Sequence, residues 1–149
     1  MEPKERRAEA ALKVGADRVI DPAKTHPVEE VMRLTGGKGA DISVEAIGRV
    51  DTVENAINSS AYGGRTVIMG RLSPDATARF RPDIILRSEK KILGTFAGFG
   101  CMPLAIECLS KGFIDPQVFI THKIPLDDIQ SAVDLNRRGE AIKTLIQPP

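Results

Sequence analysis

The sequence has no tryptophan, a single tyrosine and only five phenylalanines. Base-stacking platforms for single-stranded nucleic acid are built from aromatic side chains, so this poverty argues against one. Neither sign of charge is in excess: 21 Lys and Arg against 20 Asp and Glu leave a net charge of +1. Nothing in that balance calls for nucleic acid or a membrane surface as partner. No apolar run approaches the roughly 20 residues that span a bilayer. The start, Met1-Glu2-Pro3-Lys4-Glu5-Arg6-Arg7, lacks the apolar stretch of a secretory signal. Cysteine is scarce too. Cys101 and Cys108 are spaced for neither a redox pair nor a zinc ribbon, and they read as two small buried or half-buried thiols on one helix. A reducing cytoplasm is the expected location.

What is present is an ordinary globular composition, 42% hydrophobic and 28% charged over 149 residues. That suffices for one domain with a real core. Residues 2–14 read as a helix with Pro3 at its start and Gly15 past its end. Arg18 to Asp21 reads as a short strand closed by Asp21-Pro22. A second helix starts near Pro27 and stops at Gly36-Gly37. Residues 40–46 form a strand, residues 50–60 a helix with Val53, Ala56 and Ile57 at helical spacing, and Arg65 to Met69 an apolar strand after a turn at Gly63-Gly64. Pro82 to Arg87 reads as a helical turn, Lys91 to Phe96 as a strand, and Met102 to Lys111 as a helix. Val118 to Ile124 is extended, Leu126 to Arg138 helical, and Ile142 to Ile146 a last strand. Strands alternating with helices define an α/β fold with a mostly parallel sheet.

Three segments in this order resemble the zinc-type medium-chain dehydrogenases, the alcohol dehydrogenase family. They are Glu2 to Val14-Gly15-Ala16-Asp17 with Val19-Ile20-Asp21; Gly39-Ala40-Asp41 through Glu45-Ala46-Ile47-Gly48-Arg49, then Gly64 through Met69-Gly70; and Leu93-Gly94-Thr95-Phe96, Ile120-Thr121-His122 and Gly139-Glu140-Ala141-Ile142-Lys143. The resemblance implies an incomplete Rossmann-type, doubly wound domain over 1–149, with residues 115–149 expected to pack on a further, catalytic domain. It also implies NAD as cofactor and hydride transfer between an alcohol and a carbonyl. The family's glycine turn, G-x-G-x-x-G, is expected about 20–25 residues before Glu2. The zinc ligands are expected further upstream, so the chain is read as truncated, holding no zinc and having no catalytic residue of its own. Gly98-Phe99-Gly100 is no substitute for the turn, having no third glycine at the right spacing, and Gly36 to Gly39 reads as a helix stop.

Carried over residue by residue, Glu2 would bond the adenosine ribose hydroxyls and select NAD over NADP. Arg7 would lie near that ribose. Ala46, Ile47, Gly48 and Arg49 would form the adenine side, with Ile47 on the ring. Met69, Gly70 and Arg71 would form the nicotinamide side, Thr95 and Phe96 would contact the carboxamide through the backbone, and Lys143 would reach the pyrophosphate. His26 reads as a surface or cap residue and His122 as a structural one, and the two do not read as zinc ligands. In a sheet of order 3-2-1-4-5-6 this chain supplies strands three to six, leaving the third without a neighbour and the fourth with a bare apolar edge. The expected partners are therefore a second copy of the chain, paired through Lys91 to Phe96, and a complementing N-terminal segment. The alternative is a non-catalytic, dimerising α/β module, a split-gene remnant with at most feeble nucleotide binding.

Overall fold

A computed structural model describes every residue except Ala97 and Phe99, so the Gly98-Phe99-Gly100 segment lies partly outside the described residues. The elements, in chain order, are α1 (Glu5–Lys13), α2 (Pro27–Leu34), β1 (Ala40–Glu45), α3 (Val50–Ser59), β2 (Ser60–Ile68), α4 (Pro82–Arg87), β3 (Lys91–Gly94), α5 (Met102–Ser110), α6 (Pro116–Phe119), β4 (Ile120–Pro125), a short 3-10 turn (Leu126–Asp128), α7 (Ile129–Arg138) and β5 (Lys143–Gln147). They fall into two compact units, one of residues 20–99 with Met1, the other of residues 2–19 and 100–149. Among the described residues, no helix is long and apolar enough to cross a membrane.

The first unit is built on a parallel sheet of order β1-β2-β3. α3 crosses between β1 and β2 and buries Val53 and Ile57, four residues apart on one helical face, against the sheet. Ser43 and Thr66 are register partners across β1 and β2. Their hydroxyl oxygens lie 2.9 Å apart, and Ser43 donates at 2.9 Å to the Ala56 carbonyl of α3. This polar rivet ties helix to sheet inside the core, where Thr66 is fully buried. Lys90 lends its ammonium to the last turn of α3, donating at 2.9 Å to the Ile57 carbonyl. α2 packs against α3, its Pro27 at the first turn and its acids Glu29 and Glu30 placed to suit the helix dipole.

The second unit pairs β4 with β5 in parallel, joined by α7. Ala132, Ile124 and Ala141 are its buried apolar residues, with Ala10 of α1. α1 is fastened by two arginines: Arg6 donates to the Glu140 carbonyl at 3.3 Å and Arg7 to the Ala141 carbonyl at 3.0 Å.

The mostly parallel α/β sheet with flanking helices matches the expectation from the sequence, but local details differ: the expected turn at Gly63-Gly64 lies within β2, which already begins at Ser60. Arg18 to Asp21 is not a strand: a parallel strand exists only through a neighbour's ladder, and none lies beside it in this sheet. Val118 and Phe119, expected to be extended, belong instead to a helical turn, Pro116–Phe119, because Asp115 caps it, accepting from the Gln117 N–H at 2.9 Å, and Pro116 opens it. Cys101 is exposed and precedes α5, so only Cys108, half-buried, sits on the helix as expected. β1 lies at an edge of the three-stranded sheet, and Ile42 and Val44, which share one face of it, remain 55% and 57% exposed.

Candidate functional site

In a parallel sheet every strand points the same way, so the segments leaving the strand C-termini gather along one rim, where ligands of open α/β sheets bind. The rim of β1-β2-β3 collects Ala46, Ile47, Gly48 and Arg49 after β1, Met69, Gly70 and Arg71 after β2, and Thr95 and Phe96 after β3. Thr95 continues the ladder, its N–H donating to the Ile68 carbonyl at 3.1 Å. Glu2, Arg7 and Lys143 belong to the other unit. There Glu2 accepts from the Lys4 N–H at 2.9 Å, and Arg7 is half-buried on the Ala141 carbonyl. Lys143 opens β5 as an exposed residue.

The rim is organised by a residue that sequence patterning does not single out from its strand. Glu45 ends β1 and is only 3% exposed. Its Oε1 accepts from the N–H groups of Ile47 and Gly48, both at 2.8 Å, and lies 2.7 Å from the Thr52 hydroxyl in the first turn of α3. Its main-chain carbonyl accepts from Met69 and Gly70 at 2.8 and 2.9 Å. Thr52 also stands 2.9 Å from the Arg49 carbonyl, so its one proton serves the two acceptors. Oε2 is buried with no hydrogen-bond partner among the described residues. The one local signal in the sequence is an acid at the end of a strand, with glycine three residues on.

Two close approaches seal the arrangement. A Cβ on Gly70 would stand 2.2 Å from the Gly48 nitrogen and 2.5 Å from Glu45 Oε2. Gly48 itself has φ +85°, and a Cβ there would stand 2.3 Å from the Arg71 carbonyl oxygen. The segments after β1 and β2 therefore touch backbone to backbone, which only glycine permits.

Electrostatically, burial pushes the Glu45 carboxyl up, but hydrogen bonds from Gly48, Thr52 and Ile47 outweigh it and hold the carboxyl below its ordinary 4.5. A depressed carboxyl stabilises the fold above its unfolded value, and that contribution is lost as pH falls through the folded value. Thermal unfolding monitored from neutral pH down to about pH 3.5 should show stability falling below pH 4.5. Glu45→Gln should be less stable at neutral pH yet show a smaller acid loss. An equal acid loss in both proteins would assign the effect to other carboxylates.

Chemically, the rim offers a ligand little for phosphate. The amides of Ile47, Gly48, Met69 and Gly70, which could form an anion nest, are spent on Glu45. Arg49 is forked onto Asp51 at 2.9 and 3.0 Å. What faces outward is apolar: Ile47, Met69 and Phe96 are all exposed. The rim thus suits flat, uncharged rings better than charged groups. Among the described residues no group of three His, Cys, Asp or Glu is placed to hold a metal ion, so zinc does not fit here. His26 precedes α2, and His122 shares a 2.9 Å contact with the Thr121 hydroxyl.

A parallel sheet of order β1-β2-β3 with a crossover helix and glycine-tight turns at its strand ends is the architecture of part of a Rossmann-type domain. Residues 1–111 match the family model described as zinc-binding dehydrogenase. The chain is 35% identical over 146 residues to an alcohol dehydrogenase of Cupriavidus necator, covering 95% of itself and 40% of that protein. Among solved structures it resembles the alcohol dehydrogenase TADH from Thermus sp. ATN1, with a TM-score of 0.91 at 24% identity over 99% of this chain and 44% of that one. The 2R,3R-butanediol dehydrogenase from Bacillus subtilis matches with a TM-score of 0.86 at 27% identity, over 99% and 42% of the two chains. The chain belongs to the zinc-binding dehydrogenase family, and it spans about 40% of the length of the curated relatives it matches.

Proposed function

We propose that this chain is the cofactor-domain portion of an NAD-dependent, zinc-type alcohol dehydrogenase, and that its strand-end rim receives the rings of the dinucleotide. The observation that carries the reading is the rim itself: exposed Ile47, Met69 and Phe96 around a backbone whose own donors are already satisfied. NAD supplies the hydride chemistry when bound. The chain's part is to seat the rings: Ile47 against adenine, the segment 69–71 and Thr95 along the nicotinamide. Glu2 and Lys143 are the candidates for ribose and pyrophosphate. No G-x-G-x-x-G turn occurs in this sequence, so on this reading the phosphates are held by a segment from outside these 149 residues, and the rim alone seats the rings with low affinity. A fusion of the chain to the part of the Cupriavidus necator relative that it does not cover tests the reading. NADH fluorescence should be enhanced on titration, and Ile47→Asp should weaken the binding. No enhancement in a folded fusion would refute the cofactor assignment.

In that fusion Glu2 should favour NAD, because a carboxylate bonds ribose hydroxyls and repels a 2′-phosphate. Glu2→Ala should relax discrimination against NADP by about 1–2 kcal/mol, the scale of one charge-assisted hydrogen bond. Competitive titrations with both nucleotides measure this, and equal affinities before mutation would contradict it.

A homodimer through the β3 edge belongs to the same proposal. All four residues of β3 are exposed, Ile92 and Leu93 among them, and such an edge is a template for its own copy across a two-fold axis. Light scattering at micromolar concentration should give a dimer. Ile92→Pro, which removes a backbone donor, should give monomer or aggregate. A monodisperse monomer of the unmodified chain would rule the pairing out.

A further inference from the structure

We propose that Glu45 is a positioning residue for the candidate cofactor rim: its acceptor Oε1 holds the ring-contacting segment 46–49, whose Gly48 turn is what lies against segment 69–71; this rests on the cofactor reading above. A strand end normally leaves its departing amides to water or ligand. Here one buried side chain takes the amides of Ile47 and Gly48 and the Thr52 hydroxyl, while the same residue's carbonyl takes Met69 and Gly70. Five donors from three segments thus converge on one residue that is 3% exposed. Two consequences follow for a bound ligand. Ile47 is held outward, because its own N–H is turned in toward Glu45. The turn at Gly48 is held against Gly70 and Arg71, so the adenine side and the nicotinamide side cannot move independently. Glu45 never needs to touch the ligand; it acts through the backbone that does.

What matters here is an acceptor at the right reach, not the charge. Glu45→Gln keeps an oxygen in place of Oε1, whereas Glu45→Met keeps the volume and removes the acceptor. Amide hydrogen exchange on the isotopically labelled full chain, without ligand, reads the difference directly. In Glu45→Met the Ile47 and Gly48 amides should exchange about tenfold faster, the change expected for one net hydrogen bond. In Glu45→Gln they should stay within about twofold of the unmodified chain. NADH titration of the same samples should then shift the Ile47 and Met69 signals in the unmodified and glutamine proteins, and less in the methionine variant. Unchanged exchange in Glu45→Met, or equal acceleration in both variants, overturns the proposal. If Glu45→Met does not fold, the glutamine variant decides alone: retained protection supports the role and lost protection overturns it. Because exchange is read without nucleotide, the two ideas fail separately. Absence of any NADH shift in the unmodified chain counts against the cofactor reading, while the exchange rates alone decide the role of Glu45.

Discussion

Gly70→Ala is expected to destabilise the chain by about 3 kcal/mol, the upper range for forcing one methyl group into a closed contact. The added carbon would stand 2.2 Å from the Gly48 nitrogen, 2.5 Å from Glu45 Oε2 and 2.8 Å from the Gly48 Cα. Two of these are backbone atoms, and the third is the end of a side chain already fixed by three donors, so nothing nearby gives way cheaply. Gly94→Ala is the matched control: nothing lies within 4 Å of its Cβ position, and the substitution should change stability by less than about 0.5 kcal/mol. Differential scanning calorimetry should place the Gly70→Ala transition lower by on the order of 10 °C. Equal melting temperatures for the two variants would show that the contact between the two rim segments is looser than described.

The second large effect concerns turnover. The 149-residue chain assayed alone should show no NAD-dependent alcohol oxidation and bind no stoichiometric zinc. Among the described residues no three candidate ligands converge, and the rim amides that could steady a developing charge are engaged by Glu45. Polarising the reacting oxygen is worth several kcal/mol. At about 1.4 kcal/mol per tenfold, the fusion described above should exceed the lone chain by a factor on the order of a thousand or more. The assay follows NADH absorbance with simple primary alcohols. Turnover by the lone chain that survives repurification, or one zinc per chain by metal analysis, would defeat this expectation.

The fold is legible in the sequence wherever periodicity and punctuation agree. Val53 and Ile57 mark the buried face of α3, Pro27 opens α2, and the apolar run at 65–69 covers the second half of the central strand. It is illegible where structure depends on neighbours. Arg18 to Asp21 has the residues of a strand but no ladder to join, and residues 116–119 are helical because of an Asp-Pro cap that a hydrophobic pattern does not register. The rim residues after β1, β2 and β3 are identifiable through the family resemblance, and parallel topology brings these strand ends together. Glu45 is not: its importance lies in five hydrogen bonds converging from segments up to Gly70, and no local spacing announces that.

On the function proposed, the rim of the three-stranded sheet seats the rings of NAD. Nuclear magnetic resonance titration of the labelled full chain with NAD tests it most directly, since even low-affinity binding moves amide signals. Saturable shifts are expected at Ile47, Gly48, Met69, Gly70 and Thr95, with the β4-β5 pair unaffected apart from Lys143. Shifts confined to β4, α7 and β5, or none at any residue of the rim, would contradict it.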